Sequence, residues 1–347
     1  MEITTIHHQA EWNNTLKTLP YAHVLQTWEW GEFKRETTGW IPNRLMFKDG
    51  GDVVAMASVL TRCIGPAAMM YVPKGPALRY ENVDLAQQVI KELQKVARFA
   101  IWLKIDPDVV IGTGIPGEDD AAESPEGLAI QNMLKKSGWR FSDDQVQFRN
   151  TVRIDLTQTE DDILMGMSQN TRRKVRTAEK KDVTVRAATL DDLDTLYSLY
   201  RVTGERDNFL IRPPAYYEKA WRDFMRQGLA HALIAEFENR PIAHVILFHF
   251  GKTCWYFYGA SSNDERNRMP NYLLQWEAMK WAKAQGYEIY DMWGAPNEFD
   301  ESDSMWGVYQ FKQGFRGTTT RTLGAWDYAP YSILYSGYNH LRKALRR

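Results

Sequence analysis

Hydrophobic and polar positions alternate in a repeating order along this chain. Apolar runs at Asp52–Leu60 and Ala67–Val72 read as paired strands, because they are short, rich in β-branched and large apolar residues, and bounded by polar turns. A longer amphipathic stretch at about Asp84–Phe99 predicts a helix, and Ala100-Ile-Trp-Leu-Lys-Ile-Asp106 then predicts another strand. The order returns later. Ala232–Phe237, Ile242–His249 and Thr253–Tyr258 read as strands, Tyr272–Gln285 as a helix stopped by Gly286, and Tyr287–Asp291 as a short buried strand ending on a carboxylate.

Tyr71 to Asp106 and Tyr256 to Asp291 span the same 35 residues. Equal spacing with equal element order predicts a tandem duplication. Hairpin strands followed by a helix and another strand form the core of the acetyltransferase-type (GNAT-like) α/β fold, so two GNAT-like domains are expected. The first takes residues 1–149, with the segment 322–347 returning to it, and the second takes 150–321, opening at the strand near Asn150. No long heptad insertion lies between Trp221 and His231, so no coiled-coil arm is expected. Residues 116–125, rich in Gly, Pro and acids, read as a mobile surface loop, and the segment after Pro330 reads as a basic helix.

Length agrees with this division, since 347 residues favour about two domains. The formal net charge of −1 excludes bulk electrostatic capture of nucleic acid and leaves room for a local basic patch. Cys63 and Cys254 fit no metal or disulfide spacing, and the first residues lack the pattern of a signal peptide, so a cytoplasmic protein with reduced thiols is expected. No apolar run is long enough to cross a bilayer. Thirteen tryptophans and seventeen tyrosines exceed what a core requires and predict aromatic-lined pockets.

Gly112-Thr-Gly-Ile-Pro-Gly117 matches a dinucleotide-binding pattern, but Pro116 interrupts it and Glu118-Asp-Asp120 would repel a pyrophosphate, so it reads as a surface loop. Asn263–Asn271 occupies the strand-to-helix turn where a CoA-dependent acetyltransferase seats its pyrophosphate on glycine amides. It contains no glycine, which argues against CoA as donor. The basic run at 171–181, with Arg172, Arg173, Lys174 and Arg176, is either a solvated helix face or a phosphate-binding surface. Arg212 stands just outside a helix started by Pro213-Pro214, with Tyr216 four residues on, and is either a surface arginine or a planar phosphate or carboxylate clamp. His244 and His249 fall on opposite faces of one strand, and no metal cluster or Ser-His-Asp arrangement assembles. Asp106, at a strand end before Pro107, is either a loop-capping carboxylate or an active-site group. The run 307–317 places Phe311-Lys312 in what reads as a glycine-relieved loop facing the Asp291 strand end, a plausible seat for an acyl group and its oxyanion.

That closing run resembles the motif that ends proteins of the FemABX family, and the likeness extends over essentially the whole chain. The family consists of aminoacyl-tRNA-dependent transferases that build peptidoglycan cross-bridges. The resemblance implies an opening helix at Leu25–Lys34 whose Lys34 contacts the nucleotide sugar. It also implies an acceptor site with Arg212, Tyr216 and Tyr258, and a transfer centre at Phe311-Lys312 with Asp106 as a weaker alternative base. The basic helix with Arg172, Arg173, Lys174 and Arg176 then serves the charged tRNA. No cofactor or metal is implied. The partners are aminoacyl-tRNA as donor and a peptidoglycan precursor, soluble or lipid-linked, as acceptor. The lack of an arm resembles the short, FemX-like members, and the basic terminal segment is a candidate for contact with the inner membrane surface. Two other readings compete: a CoA-dependent N-acyltransferase on the same fold, and a non-catalytic precursor-binding protein.

Overall fold

The computed structural model describes residues 1–65 and 67–345. It divides into two compact units: Met1–Arg149 with the segment from Thr320 onward, and Asn150–Thr319.

In the first unit the strands Glu2–Thr5, Ile41–Asp49, Asp52–Ile64, Ala67–Val72, Ala100–Ile105, Trp326–Tyr328 and Arg140–Phe141 form one sheet in that spatial order. Ala67–Val72 and Ala100–Ile105 run parallel, from Ala68↔Ala100 to Val72↔Ile105. A parallel pair needs a crossover. The helix Val83–Val96 supplies it, capped by Asn82 and burying Ala86, Val89, Ile90 and Leu93 at helical spacing over the sheet. The helix stops three residues before the expected Phe99. The glycine-rich run near 112, expected as loop, is partly strand. Val110–Thr113 pairs with Ala122–Glu123, and Arg321 pins the pair by donating to the Thr113 and Ala122 carbonyls and to Glu123. The segment after Pro330 forms the helix Ser332–Leu345, while the terminal Arg346 and Arg347 lie outside the described residues.

The second unit repeats the plan. Its sheet runs Thr184–Ala187, Ala230–Phe237, Arg240–Phe250, Thr253–Ser261, Ile289–Ala295 and Asn150–Asp155. Thr253–Ser261 and Ile289–Ala295 are its parallel pair, joined through the helix Pro270–Ala284. Gly286, in the left-handed region at φ 86°, releases the chain from that helix. Two helices, Leu193–Asp207 and Pro214–Arg226, cover one face, where His244 bonds the Leu196 carbonyl and its ring meets Trp221. On the opposite face His249 bonds Tyr287 and packs against Trp281 of Pro270–Ala284. The two histidines thus face opposite ways, each occupied by packing. Pro214–Arg226 connects to Ala230–Phe237 through residues 227–229 alone, leaving no room for an arm. Among the described residues no helix is long and apolar enough to cross a membrane, and no acidic, His or Cys cluster is suited to a metal.

Candidate active site

The parallel pair of the second unit opens partway along. Its strands pair at Thr253↔Ile289, Cys254↔Tyr290 and Trp255↔Asp291, and there the parallel register stops. The cause is a bulge in Ile289–Ala295. Opposite it, Arg153 pairs with Asp291 but Thr151 pairs with Gly294, so one extra residue is looped out. Trp293 adopts φ 59° there, a conformation costly for a residue with a bulky side chain. Asp291 holds the bulge. Its carboxylate accepts from the Trp293 amide at 2.8 Å, from the Thr151 hydroxyl, and from Arg153 Nε at 3.0 Å. The expected strand ending at Asp291 is therefore corrected: the strand continues to Ala295, and Asp291 is a buried structural anchor within it.

The bulge aims two backbone carbonyls at Lys312. Lys312 Nζ donates to the Trp293 oxygen at 3.0 Å and the Gly294 oxygen at 2.5 Å, and stands 5.9 Å from the centre of the Tyr256 ring. Burial pushes the ammonium down to about 7, with Asp291 opposing the shift. Phe311 and Lys312 do not lie in a loop as expected but in the helix Trp306–Gln313. Tyr309 and Lys312 are its buried residues, three apart on one face, and Asp303 organises its entry by accepting from the Met305 amide. Two of the three glycines have a packing reason. A Cβ on Gly314 would collide with the Thr171 hydroxyl, and one on Gly317 with Ile154 and the Arg153 carbonyl; at Gly307 the space is open.

From Lys312 a row of rings leads to Arg212. Trp293 stacks on Phe257 with centroids 4.4 Å apart, and Phe257 lies beside Tyr258 at 5.8 Å. Tyr258 meets Tyr217 at 5.9 Å, Tyr217 meets Tyr216 at 5.5 Å, and the Arg212 guanidinium lies 4.7 Å over Tyr216. The structure thus brings Arg212, Tyr216 and Tyr258 together. Pro214 at the first helical position presets the turn, and the Arg212 amide donates to the Tyr217 hydroxyl. Burial pushes the Tyr258 phenol well above its ordinary value, keeping it a neutral donor.

The basic run forms the helix Gln169–Lys180, capped by Ser168 and packed through Thr171, Val175 and Ala178. Its cations divide by role. Arg172 donates to the Met165 and Met167 carbonyls, closing the preceding helix, and also lines the groove formed by the other arginines of this helix. Lys174 donates to the Tyr272 hydroxyl at 2.7 Å, and the Tyr272 ring packs on Phe311 at 5.0 Å, linking this helix to the Lys312 turn. Arg173 and Arg176 are exposed and, with Lys180, line an open groove of about 640 Å³.

Two expected residues belong to the first unit. Lys34 lies on the helix Trp28–Thr38, its ammonium 4.6 Å over the Trp30 ring. Asp106 accepts from the Tyr71 hydroxyl at 2.6 Å and the Lys74 amide at 2.5 Å, a geometry that caps the turn at Lys74. Burial raises its carboxyl to about 6, against the attraction of Lys74.

Trp293, Tyr217 and Tyr200, whose ring meets both Tyr217 and Tyr258 edge-on, were not legible as site residues. Tyr256 carried a signal, since it opens the second copy of the 35-residue interval.

The model of the FemAB family matches residues 8–238 and 225–343 of this chain. The chain belongs to the FemAB family. Among its relatives in that family is a lipid II:glycine glycyltransferase of Staphylococcus haemolyticus (strain JCSC1435), 25% identical over an alignment covering 100% of this chain and 96% of the relative. A lipid II:glycine glycyltransferase of Staphylococcus aureus (strain USA300) is equally similar, with the same coverage. The first alignment runs over 415 positions against 347 residues here, so that relative carries residues without a counterpart in this chain. Among solved structures, FemX superposes with a TM-score of 0.85 at 24% identity, covering 97% of this chain and 99% of FemX. A tandem GNAT protein from the clavulanic acid biosynthesis pathway superposes at 0.55 with 11% identity, covering 95% and 98%. Both likenesses establish the fold: two tandem GNAT-like units without a coiled-coil arm.

Proposed function

We propose that this FemAB-family chain is an aminoacyl-tRNA-dependent transferase that adds an amino acid of the Ala, Ser or Gly type to the stem-peptide amine of a peptidoglycan precursor. One observation carries the reading: a buried lysine, held by two carbonyls where a parallel strand pair opens, stands between an Arg-ended aromatic row and a basic helix.

The reaction needs positioning more than acid–base force, because an aminoacyl ester is already activated. The acceptor amine attacks the ester carbonyl carbon. A C–N bond forms, the C–O bond to the tRNA ribose breaks, and the ribose oxygen leaves with a proton. A free lysine amine has a pKa near ~10.4, so deprotonating an acceptor of that kind is a principal cost near neutral pH. The tetrahedral intermediate carries an oxyanion, and Lys312 is the cation assigned to it. Loss of one comparable donor costs on the order of 3 kcal/mol. The Phe311 carbonyl, near the C-terminal end of its helix where carbonyl dipoles concentrate, is assigned to accept a hydrogen bond from the attacking amine, whose proton passes to the leaving ribose oxygen. Asp106 receives no proton-transfer role, being committed to Tyr71 and Lys74.

Arg212 on Tyr216, with Tyr258 behind them, is assigned to the acceptor. A planar guanidinium fixed by a ring suits bidentate binding of a diphosphate, and the tyrosines suit sugar or uracil. Arg173, Arg176 and Lys180 are assigned to the tRNA phosphates. The relatives' names place their chemistry on lipid II, so both a lipid-linked and a UDP-linked pentapeptide are acceptor candidates here.

Charged tRNA pools supplied with each acceptor, followed by mass spectrometry, test the reading. One added amino-acid mass, abolished by RNase, is expected. Transfer that survives RNase overturns tRNA dependence. A thermal shift with acetyl-CoA would promote the CoA-dependent reading, against which the turn at Asn263–Asn271 stands. It reaches the left-handed region through Glu265 and Met269, with no glycine to offer the bare backbone that a close pyrophosphate approach uses.

A further inference from the structure

The helix Ser332–Leu345 lies along the strand Ala100–Ile105 of the first unit, and two tyrosines define its inner face. Tyr335 donates its hydroxyl to Asp327 at 2.7 Å, and Asp327 is itself paired with buried Lys104 at 2.8 Å. Less than one turn further on, the Tyr338 ring packs 6.2 Å from that of Trp102. An amphipathic helix on a soluble protein ordinarily turns its aliphatic side chains inward. Here Tyr335 and Tyr338 face inward while, among the described side chains, Ile333 and Leu334 look out, 88% and 56% exposed.

A further exposed apolar side chain lies toward the other end of the strand that this helix follows. Tyr335 sits at the level of Lys104 and Tyr338 at the level of Trp102, so the helix descends toward the start of its strand at Ala100. Immediately before Ala100 stands Phe99, 71% exposed, with the Arg98 guanidinium 4.8 Å over its ring. At the other end of the helix Arg140 donates to the Ser332 hydroxyl. An arginine therefore stands near each of these exposed apolar groups. From Tyr331 onward the sequence adds Arg342, Lys343, Arg346 and Arg347 and contains no Asp or Glu, in a chain with 44 acidic residues.

We propose that this face of the first unit docks on an anionic bilayer surface. Aliphatic and aromatic side chains enter the boundary between headgroups and acyl chains, while arginine and lysine meet the lipid phosphates. Charge complementarity selects that occupant over a second copy of the same face, which would bring like charges together. The attachment is peripheral and reversible, and it is independent of the transferase reading because it needs no substrate.

Co-sedimentation of the full chain with vesicles of phosphatidylcholine alone, or mixed with phosphatidylglycerol and free of any precursor lipid, tests it. Binding to the anionic vesicles at low salt is expected, falling several-fold at moderate salt and negligible on the neutral ones. The double variant Ile333→Asp/Leu334→Asp is expected to bind about tenfold more weakly, with its melting temperature and its transfer to a soluble acceptor unchanged. Phe99→Ser provides a second variant away from the helix and is expected to weaken binding several-fold. Equal binding to both vesicle types, no binding at low salt, or wild-type binding by both variants overturns the proposal. A dimer in solution that the double variant dissociates overturns it as well, by making this face a contact between copies.

Discussion

Tyr71 donates its phenolic hydrogen to Asp106 across 2.6 Å, and these are the two residues that bound the first copy of the 35-residue interval. In the second copy the same spacing serves other ends. Asp291 takes Thr151, Arg153 and the Trp293 amide, while Tyr256 lies beneath the Lys312 ammonium. One unit uses a carboxylate just past its strand to close a turn, and the other uses a carboxylate within its strand to hold a bulge. The two units share a plan of elements, and this spacing serves different contacts in each.

The Asp106 bond has a pH signature. Its folded carboxyl titrates at about 6 against an ordinary 3.8, so the folded state keeps a proton that the unfolded state releases between those values. Its contribution to stability is present below 3.8 and lost as pH rises through 6. In chemical denaturation, the wild type should lose stability relative to Asp106→Asn across that window, while the variant keeps its turnover. A variant that folds normally but no longer transfers would restore Asp106 as a catalytic base.

Lys312 titrates in the opposite sense. Its folded value of about 7 lies below the ordinary 10.5, so the unfolded state holds more protons between 7 and 10.5 and stability rises with pH there. Lys312→Met should flatten that rise. It should also cut transfer by roughly 10²–10³ while leaving acceptor affinity within a few-fold. Turnover near wild type in single-turnover kinetics would remove Lys312 from the oxyanion.

Arg212→Ala should raise the acceptor's dissociation constant about tenfold or more without changing affinity for charged tRNA, measured by calorimetry. Arg212→Lys should not rescue it, because an ammonium neither stacks on Tyr216 nor presents two parallel donors. Equal weakening of both substrates would argue against separate sites.

The cations of the helix Gln169–Lys180 should separate by experiment. Arg173→Ala with Arg176→Ala should reduce the salt dependence of tRNA binding, since fewer phosphates are neutralised. Arg172→Ala should instead lower stability by about 1 kcal/mol, because it strips the Met165 and Met167 carbonyls of their donor. A salt slope unchanged in the double variant would return this helix to a solvated face.

Much of the scaffold was legible because it rests on local rules. Strand runs, the helix Pro270–Ala284 with Gly286 behind it, and the proline start at Pro214 follow from backbone preferences that neighbouring residues carry themselves. The arrangement of Arg212 before Tyr216 was legible for the same reason, as four residues across a helix start are a local distance. Phe311-Lys312 was misplaced into a loop because Gly307 and Gly314 read as breakers. Gly307 is tolerated inside a helix whose buried Tyr309 and Lys312 anchor it, and Gly314 is demanded by Thr171 from a distant helix.

The sequence by itself determined the two-fold repeat, the strand and helix order, and the residue types available for chemistry, because periodicity and turn propensity act within a few residues. Only the tertiary structure decided what those residues do. Whether Asp291 is a free carboxylate or an anchor depends on Thr151 and Arg153, well over a hundred positions away. Whether Arg172 meets solvent or two carbonyls depends on how one helix ends against the next. The lowered pKa of Lys312 arises from burial beside a bulge, a desolvation that no linear pattern records, because the atoms that exclude water are neighbours in space and not along the chain.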